Sequence, residues 1–233
     1  MHSTKVHFAS NSIPLPSFCV TSSIQDIKDA CQQLGLPIML KARRGAYDGK
    51  GNAVLETADE VAIMECLAKL ACPVSTTTTT TETALDLYAE GWIDFDCEVA
   101  VMVVKSATET AAYTAVNAIQ QDSICRVVLA PARNISTSMR ENCESLAKAA
   151  INSLGIGASG MFGVELFITK QGTILLNEIA PRPHNTGHYT QNACATNQFE
   201  QHLRGICGFK LGSTDMLVEA AASKYWNNHE WDL

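Results

Sequence analysis

The sequence predicts an α+β fold, and three observations carry that prediction. Apolar runs of strand length, rich in Val, Ile, Leu and Phe, meet across short polar breaks, as antiparallel hairpins do. Other segments space their apolar residues three and four apart, as amphipathic helices do. With 233 residues, 46% of them apolar, the chain can fill the core of one sizeable domain or two small ones.

The same composition excludes whole classes of function. A net charge of -7 argues against a general nucleic-acid binder or a protein held on an anionic membrane, since both need a basic surface. No apolar run is long enough for a membrane-spanning helix. The opening stretch, MHSTKVHFASNSIPLP, lacks the apolar core of a secretion signal. Nine cysteines at irregular spacing, with no Cys-x-x-Cys pair, fit reduced, buried thiols in the cytoplasm.

Taken in order, residues 1–23 are polar and irregular, with Pro14 and Pro16 marking an extended entry. Residues 24–34 carry apolar side chains at 24, 27, 31 and 34, a helical spacing that Gly35 stops. A short strand follows over 38–42. Residues 43–52 then gather three glycines and three cations, which suits either a loop closing over phosphates or a basic hairpin tip. It is no P-loop, because an apolar run rather than a helix start comes next. Residues 58–71 read as an amphipathic helix, the threonine run 76–81 as a loop insertion, and 86–90 and 99–104 as strands.

Two further strands are expected over 111–119 and 123–130. Ser138 and Glu141 have the spacing of a capping box opening a helix to about Leu154. Its expected core face is Met139, Cys143, Leu146, Ala150 and Leu154. Residues 162–169 and 173–179 form a hairpin around Gly172, and 189–205 reads as one helix carrying Cys194, Phe199 and Leu203, with Ile206 just beyond.

That hairpin holds the chemistry. Glu165 and Glu178 stand thirteen residues apart in sequence but meet across its two strands. Converging carboxylates repel unless a cation lies between them. A hard divalent ion takes oxygens from one or two carboxylates plus substrate phosphates, and Asn177 adds an amide oxygen. Alternatively, both glutamates lie on the solvated face of an ordinary hairpin. The sequel favours the first reading. Residues 179–188, IAPRPHNTGH, form a stiff, donor-rich loop suited to an anionic substrate. His184 and His188 have i, i+4 metal-pair spacing, but the prolines argue against a helix there.

Phe-Gly-Val-Glu at 162–165 and Asn-Glu-Ile-Ala-Pro-Arg-Pro-His-Asn-Thr-Gly-His-Tyr-Thr at 177–190 resemble the ATP-grasp domain of carboxyaminoimidazole ribonucleotide synthase. In fungi and plants that domain is part of phosphoribosylaminoimidazole carboxylase. The resemblance covers roughly residues 5–215. It implies an α+β ATP-grasp fold with the nucleotide in the cleft between two α+β subdomains. The expected parts are an irregular segment 1–19, a small subdomain 20–88, a large one 89–212 and an unmatched tail 213–233.

The implied reaction is ATP-dependent carboxylation of 5-aminoimidazole ribonucleotide by bicarbonate, through carboxyphosphate, in purine biosynthesis. The implied cofactors are ATP and Mg²⁺ or Mn²⁺, with Glu165 and Glu178 as metal ligands. Lys41 and Lys50 reach the phosphates. Glu90, Ile93, Glu98 and Asn177 complete the nucleotide site. Tyr47, Asp48, Arg182, His184 and Asn185 hold the substrates, and the last three act in catalysis together with Asp48. No nucleic acid or membrane partner is implied.

Three features depart from the family's pattern. The chain starts where an N-terminal Rossmann-like domain is expected to have ended, and its last ten residues do not match the expected C-terminal β-rich domain. Asn117 and Gln120 stand where Glu and His are usual. Two alternatives therefore stand beside a complete ligase: a remnant that binds ATP without turnover, and a homodimer or partner chain that supplies the missing domains.

Overall fold

A computed structural model describes residues 2–44, 51–70, 85–121 and 124–224. The chain divides into two compact units: Met1–His7 with Leu15–Ile93, and Phe8–Pro14 with Asp94–Leu233. The first element is a helix, α1 (His2–Ser10), followed by strand β1 (Phe18–Thr21), where an irregular stretch was expected. The α1 segment has no apolar stripe for periodicity to detect. It is anchored by tertiary contacts instead, with Lys5 5% and Phe8 2% exposed.

The smaller unit continues with α2 (Ile24–Leu34), β2 (Ile38–Ala42), β3 (Asn52–Leu55), α3 (Glu60–Lys69) and β4 (Leu87–Gly91). A capping box starts α2. The Ser23 hydroxyl accepts from Asp26 N at 3.1 Å, and the Asp26 carboxylate accepts from Ser23 N at 3.0 Å. Gly35 ends the helix at φ 77°, a backbone region that glycine enters without steric cost. Asp59 caps α3 by accepting from Ala62 N, so that helix is shorter than the expected 58–71.

The strands form an antiparallel sheet in the order β1-β4-β2-β3. Strand alternation divides its two faces. Ile38, Leu40, Leu87 and Ala89 point to a core shared with Ile27 of α2 and Ile63 and Leu67 of α3. The register places Met39 opposite Glu90 and Lys41 opposite Tyr88, so these four share the other face.

The larger unit contains β5 (Phe95–Lys105), β6 (Thr110–Ala112), β7 (Val116–Gln121), β8 (Ile124–Ala130), α4 (Thr137–Ser153), β9 (Gly160–Thr169), β10 (Ile174–Ala180), the 3₁₀ turn Asn185–Gly187, α5 (Thr190–Ala193), α6 (Gln198–Cys207) and β11 (Ala221–Lys224). Its sheet runs β10-β9-β5-β7-β8-β11, with β6 also on β5. The single strand expected over 111–119 is two strands. Buried Tyr113 breaks it, donating its hydroxyl to Thr196 O at 2.6 Å, while Ala115 N donates to the Glu144 carboxylate.

The capping box expected at Ser138 is also displaced. Ser136 is the cap and accepts from Met139 N at 3.1 Å, which places Ser138 inside the first turn. Of the core face expected for α4, Cys143 and Ala150 are buried, joined by Ala147 and Ile151. Residues 189–205 are not one helix. α5 ends after Ala193, and Asn197 starts α6 by accepting from Phe199 N and Glu200 N. Of the apolar residues read on this segment, Cys194 is buried, whereas Phe199, Leu203 and Ile206 are exposed, and Gln198, Gln201 and Gly205 face inward. Among the described residues no helix is long and apolar enough to cross a membrane.

Candidate active site

In the larger unit the β9–β10 hairpin turns at Gly172, whose φ is 79°. Leu176 pairs with Leu166, but Glu178 pairs with Glu165, so Asn177 is an extra residue in β10. Such a bulge re-aims side chains. With an unbroken register Glu178 would stand opposite Val164. The bulge instead sets the two glutamates directly across from one another, on the same face of the sheet. The Oδ1 atom of Asn177 is buried without a hydrogen-bond partner among the described residues.

The neighbouring strands extend that face. Ala100 of β5 pairs with Glu165, and Glu98 with Phe167, so Glu98 lines the same side as the glutamate pair. Cys125 of β8 senses this charge. Burial first, then the Glu165 and Glu98 carboxylates, push its thiol up to about 11. Asn117 lies on the opposite face, paired with Val99, and accepts from Arg133 N at 2.6 Å. Gln120 sits at the register shift opposite Cys125.

The loop after β10 folds back over this face through Gly163. A methyl carbon there would stand 2.6 Å from His184 Cβ and 2.7 Å from Cγ, so only glycine lets the imidazole settle at this height. His184 Nε2 lies 3.8 Å from Glu165 Oε1, and its Nδ1 is 2.9 Å from Thr186 Oγ1. Gln198 grips the loop from the other side. Its Oε1 accepts from His184 N and its Nε2 donates to His184 O, both at 2.9 Å. Gln201 holds Gly212 in the same two-bonded way. The two buried glutamines therefore explain why α6 turns its polar face inward.

Arg182 is exposed and donates to Pro183 O at 3.1 Å, and Asn185 opens the 3₁₀ turn at the surface. Burial lowers the pKa of His188, which packs against Phe199 with ring centroids 5.8 Å apart.

The smaller unit holds the other charged group. Lys41 is 8% and Glu90 3% exposed, and the Lys41 ammonium lies 2.5 Å from Glu90 Oε2. Lys5 of α1 pairs with the other oxygen, Oε1. Burial pushes the Glu90 carboxyl up, but the two lysines outweigh it and hold its pKa below the ordinary value. Ile93 is half-buried in the connection between β4 and β5. Tyr47, Asp48 and Lys50 lie outside the described residues.

The structure thus brings Glu165, Glu178, Glu98 and His184 together on one unit, and Lys41 and Glu90 on the other. Sequence reasoning missed Lys5 and Gln198. Neither carries a motif, and each matters through one long-range contact.

The donor set fits a hard divalent ion. Among the described residues no group of three or more His, Cys, Asp or Glu side chains gathers to hold a metal by itself. Two facing carboxylates suit an ion that completes its shell with phosphate oxygens and water, and the amide oxygen of Asn177, unpartnered among the described residues and next to Glu178 in sequence, is a further oxygen donor.

Residues 6–199 match the ATP-grasp domain family. The chain is 40% identical over 222 residues to phosphoribosylaminoimidazole carboxylase of Schizosaccharomyces pombe, a match covering 94% of this chain and 37% of that protein. A carboxyaminoimidazole ribonucleotide synthase from Aspergillus clavatus, solved with ATP, superposes with a TM-score of 0.80 at 36% identity, covering 91% of this chain and 52% of that one. The Aspergillus clavatus N5-carboxyaminoimidazole synthase in complex with ADP and 5-aminoimidazole ribonucleotide gives a TM-score of 0.77 at 35% identity, over the same shares of both chains. The chain therefore spans about half the length of these solved relatives.

Proposed function

We infer the function from one premise: this chain belongs to the ATP-grasp family. Its reaction is the ATP- and Mg²⁺-dependent joining of bicarbonate to the exocyclic amine of 5-aminoimidazole ribonucleotide, a ligase step of purine biosynthesis. The relatives' names and ligands support the substrate class. At residue level the reading is carried by the Glu165–Glu178 pair, set in register by the Asn177 bulge and overlaid by His184.

Bound ATP with Mg²⁺ or Mn²⁺ supplies phosphoryl transfer to bicarbonate, which makes the carboxyl group transferable to the amine. The side chains do the rest. Glu165 and Glu178 hold the metal, with Asn177 beside them. Lys41 and Lys50 present ammonium groups to the phosphates and offset charge developing on the transferred group. Glu98 can only accept hydrogen bonds when ionised, which suits ribose hydroxyls, while Glu90 and Ile93 serve the adenine end. Arg182 offers a planar fork to bicarbonate. His184 and Asn185 orient the acceptor amine, and Tyr47 and Asp48 complete the ribonucleotide pocket. The irregular cysteines and acidic composition suit the cytoplasm.

A second reading is a chain that binds ATP but needs a second copy or another chain for turnover. One assay separates the two: bicarbonate-dependent ADP release, with and without 5-aminoimidazole ribonucleotide, for wild type and Glu178→Gln. Release that rises with the ribonucleotide and vanishes in the variant is the expected result. Saturable Mg·ATP binding without release would favour the second reading. Absence of both would overturn the assignment.

A further inference from the structure

Lys5 lies outside every motif in the chain, yet it is 5% exposed and ion-paired with Glu90. Glu90 is shared: one oxygen goes to Lys5 of α1 and the other to Lys41 of β2. Asn52 belongs to the same buried face. It pairs in register with Lys41, and its Oδ1 is buried without a hydrogen-bond partner among the described residues.

The charge balance of this cluster is the informative quantity. One carboxylate and one lysine would form a neutral pair, and a phosphate approaching Lys41 would compete with Glu90 for it. A second ammonium changes that. Two positive charges and one negative leave a net +1, and Glu90 keeps a partner when Lys41 turns away. A buried carboxylate left unpaired is costly, so without Lys5 the departure of Lys41 is opposed.

We propose that Lys5 is a positioning residue of the nucleotide site: it holds Glu90 so that Lys41 is released to the polyphosphate of ATP. This rests on the nucleotide-binding reading given above and names a group that the reading did not use. Lys5 does not touch the nucleotide. It acts through Glu90 and sets the net charge that the phosphates meet.

The test is the ratio of the dissociation constants for adenosine and Mg·ATP, measured by calorimetry on the full chain. The ratio isolates the phosphate contribution, because any adenine contact and any general loosening affect both ligands. In Lys5→Met the ratio should fall by about tenfold or more, the scale of one lost charge interaction of ~1.4 kcal/mol. Lys5→Arg keeps the charge and should hold the wild-type ratio. Adding Glu90→Gln to Lys5→Met removes the competing carboxylate, so the double variant should regain most of the ratio. It also carries no unpaired buried carboxylate, so it remains testable where the single variant folds poorly. A ratio unchanged in Lys5→Met, or lost and not regained in the double variant, overturns the inference while leaving nucleotide binding intact. A wild-type chain that binds no Mg·ATP overturns the nucleotide reading itself, and the inference with it.

Discussion

Gly163→Ala offers the sharpest test of the site's geometry, because it adds one carbon where the structure has no room. The new Cβ would lie 2.6 Å from His184 Cβ and 2.7 Å from its Cγ, well inside van der Waals contact. Gly163 is not among the glycines with positive φ, so the substitution carries no backbone penalty and its effect is steric. His184 cannot yield easily, since Gln198 holds both its backbone N–H and its C=O. Overpacking of this kind costs about 1–3 kcal/mol. The imidazole moves away from Glu165, and a displacement near 1 Å in a reacting constellation costs on the order of 100-fold in rate.

The experiment pairs urea unfolding with ADP release, using Gly157→Ala as control, since a Cβ at Gly157 meets nothing within 4 Å. Gly163→Ala should lose stability and ADP release while still binding Mg·ATP, and the control should match wild type. A Gly163→Ala chain as stable and active as the control would refute both the tight seat and the role given to His184.

Three other outcomes follow from the same contacts. Gln198→Leu removes both hydrogen bonds to the His184 backbone and should lower stability by about 1–3 kcal/mol, read by denaturant midpoint. It should depress ADP release more than Mg·ATP affinity. Glu178→Gln removes one of two facing carboxylates and should leave the melting temperature at or above wild type, while the Mg²⁺ concentration needed for ATP binding, measured by titration, rises. Glu90 has a carboxyl held below its ordinary value of 4.5, so its contribution to stability is full above that value. It is lost as pH falls through the depressed folded-state value. Acid unfolding followed by circular dichroism should therefore show a shallower acid limb in Glu90→Gln than in wild type.

Much of the fold was legible where local signals are strong. The α2 helix was expected over 24–34 and is found at Ile24–Leu34, because its apolar spacing and Gly35 agree. The β9–β10 hairpin was legible from two apolar runs around Gly172. The pairing of Glu165 with Glu178 was expected in outline, but the bulge that creates it was not. A register shift leaves no trace in apolar periodicity, and Asn177 reads as an ordinary strand residue until its partner strand is placed. The α1 helix was invisible for a related reason. Nothing in HSTKVHFAS repeats at 3.6 residues, and its place depends on Lys5 meeting Glu90, eighty-five positions away.

The α6 helix shows why the site was harder to read than the fold. Its apolar residues Phe199, Leu203 and Ile206 fall on one stripe, and the ordinary inference turns that stripe inward. The structure turns it outward, because the inward face has another task. The loop after β10 must pass over Gly163 with its backbone groups satisfied, and an apolar helix face offers them nothing. Gln198 and Gln201 each supply one donor and one acceptor, and so hold His184 and Gly212 by both backbone groups. Gln198 N in turn donates to Thr190 Oγ1, which ties α6 to α5. A helix that holds an irregular loop is thus selected for paired polar contacts as well as for apolar area. Where those demands conflict, hydrophobic periodicity identifies the helix and misassigns its buried face.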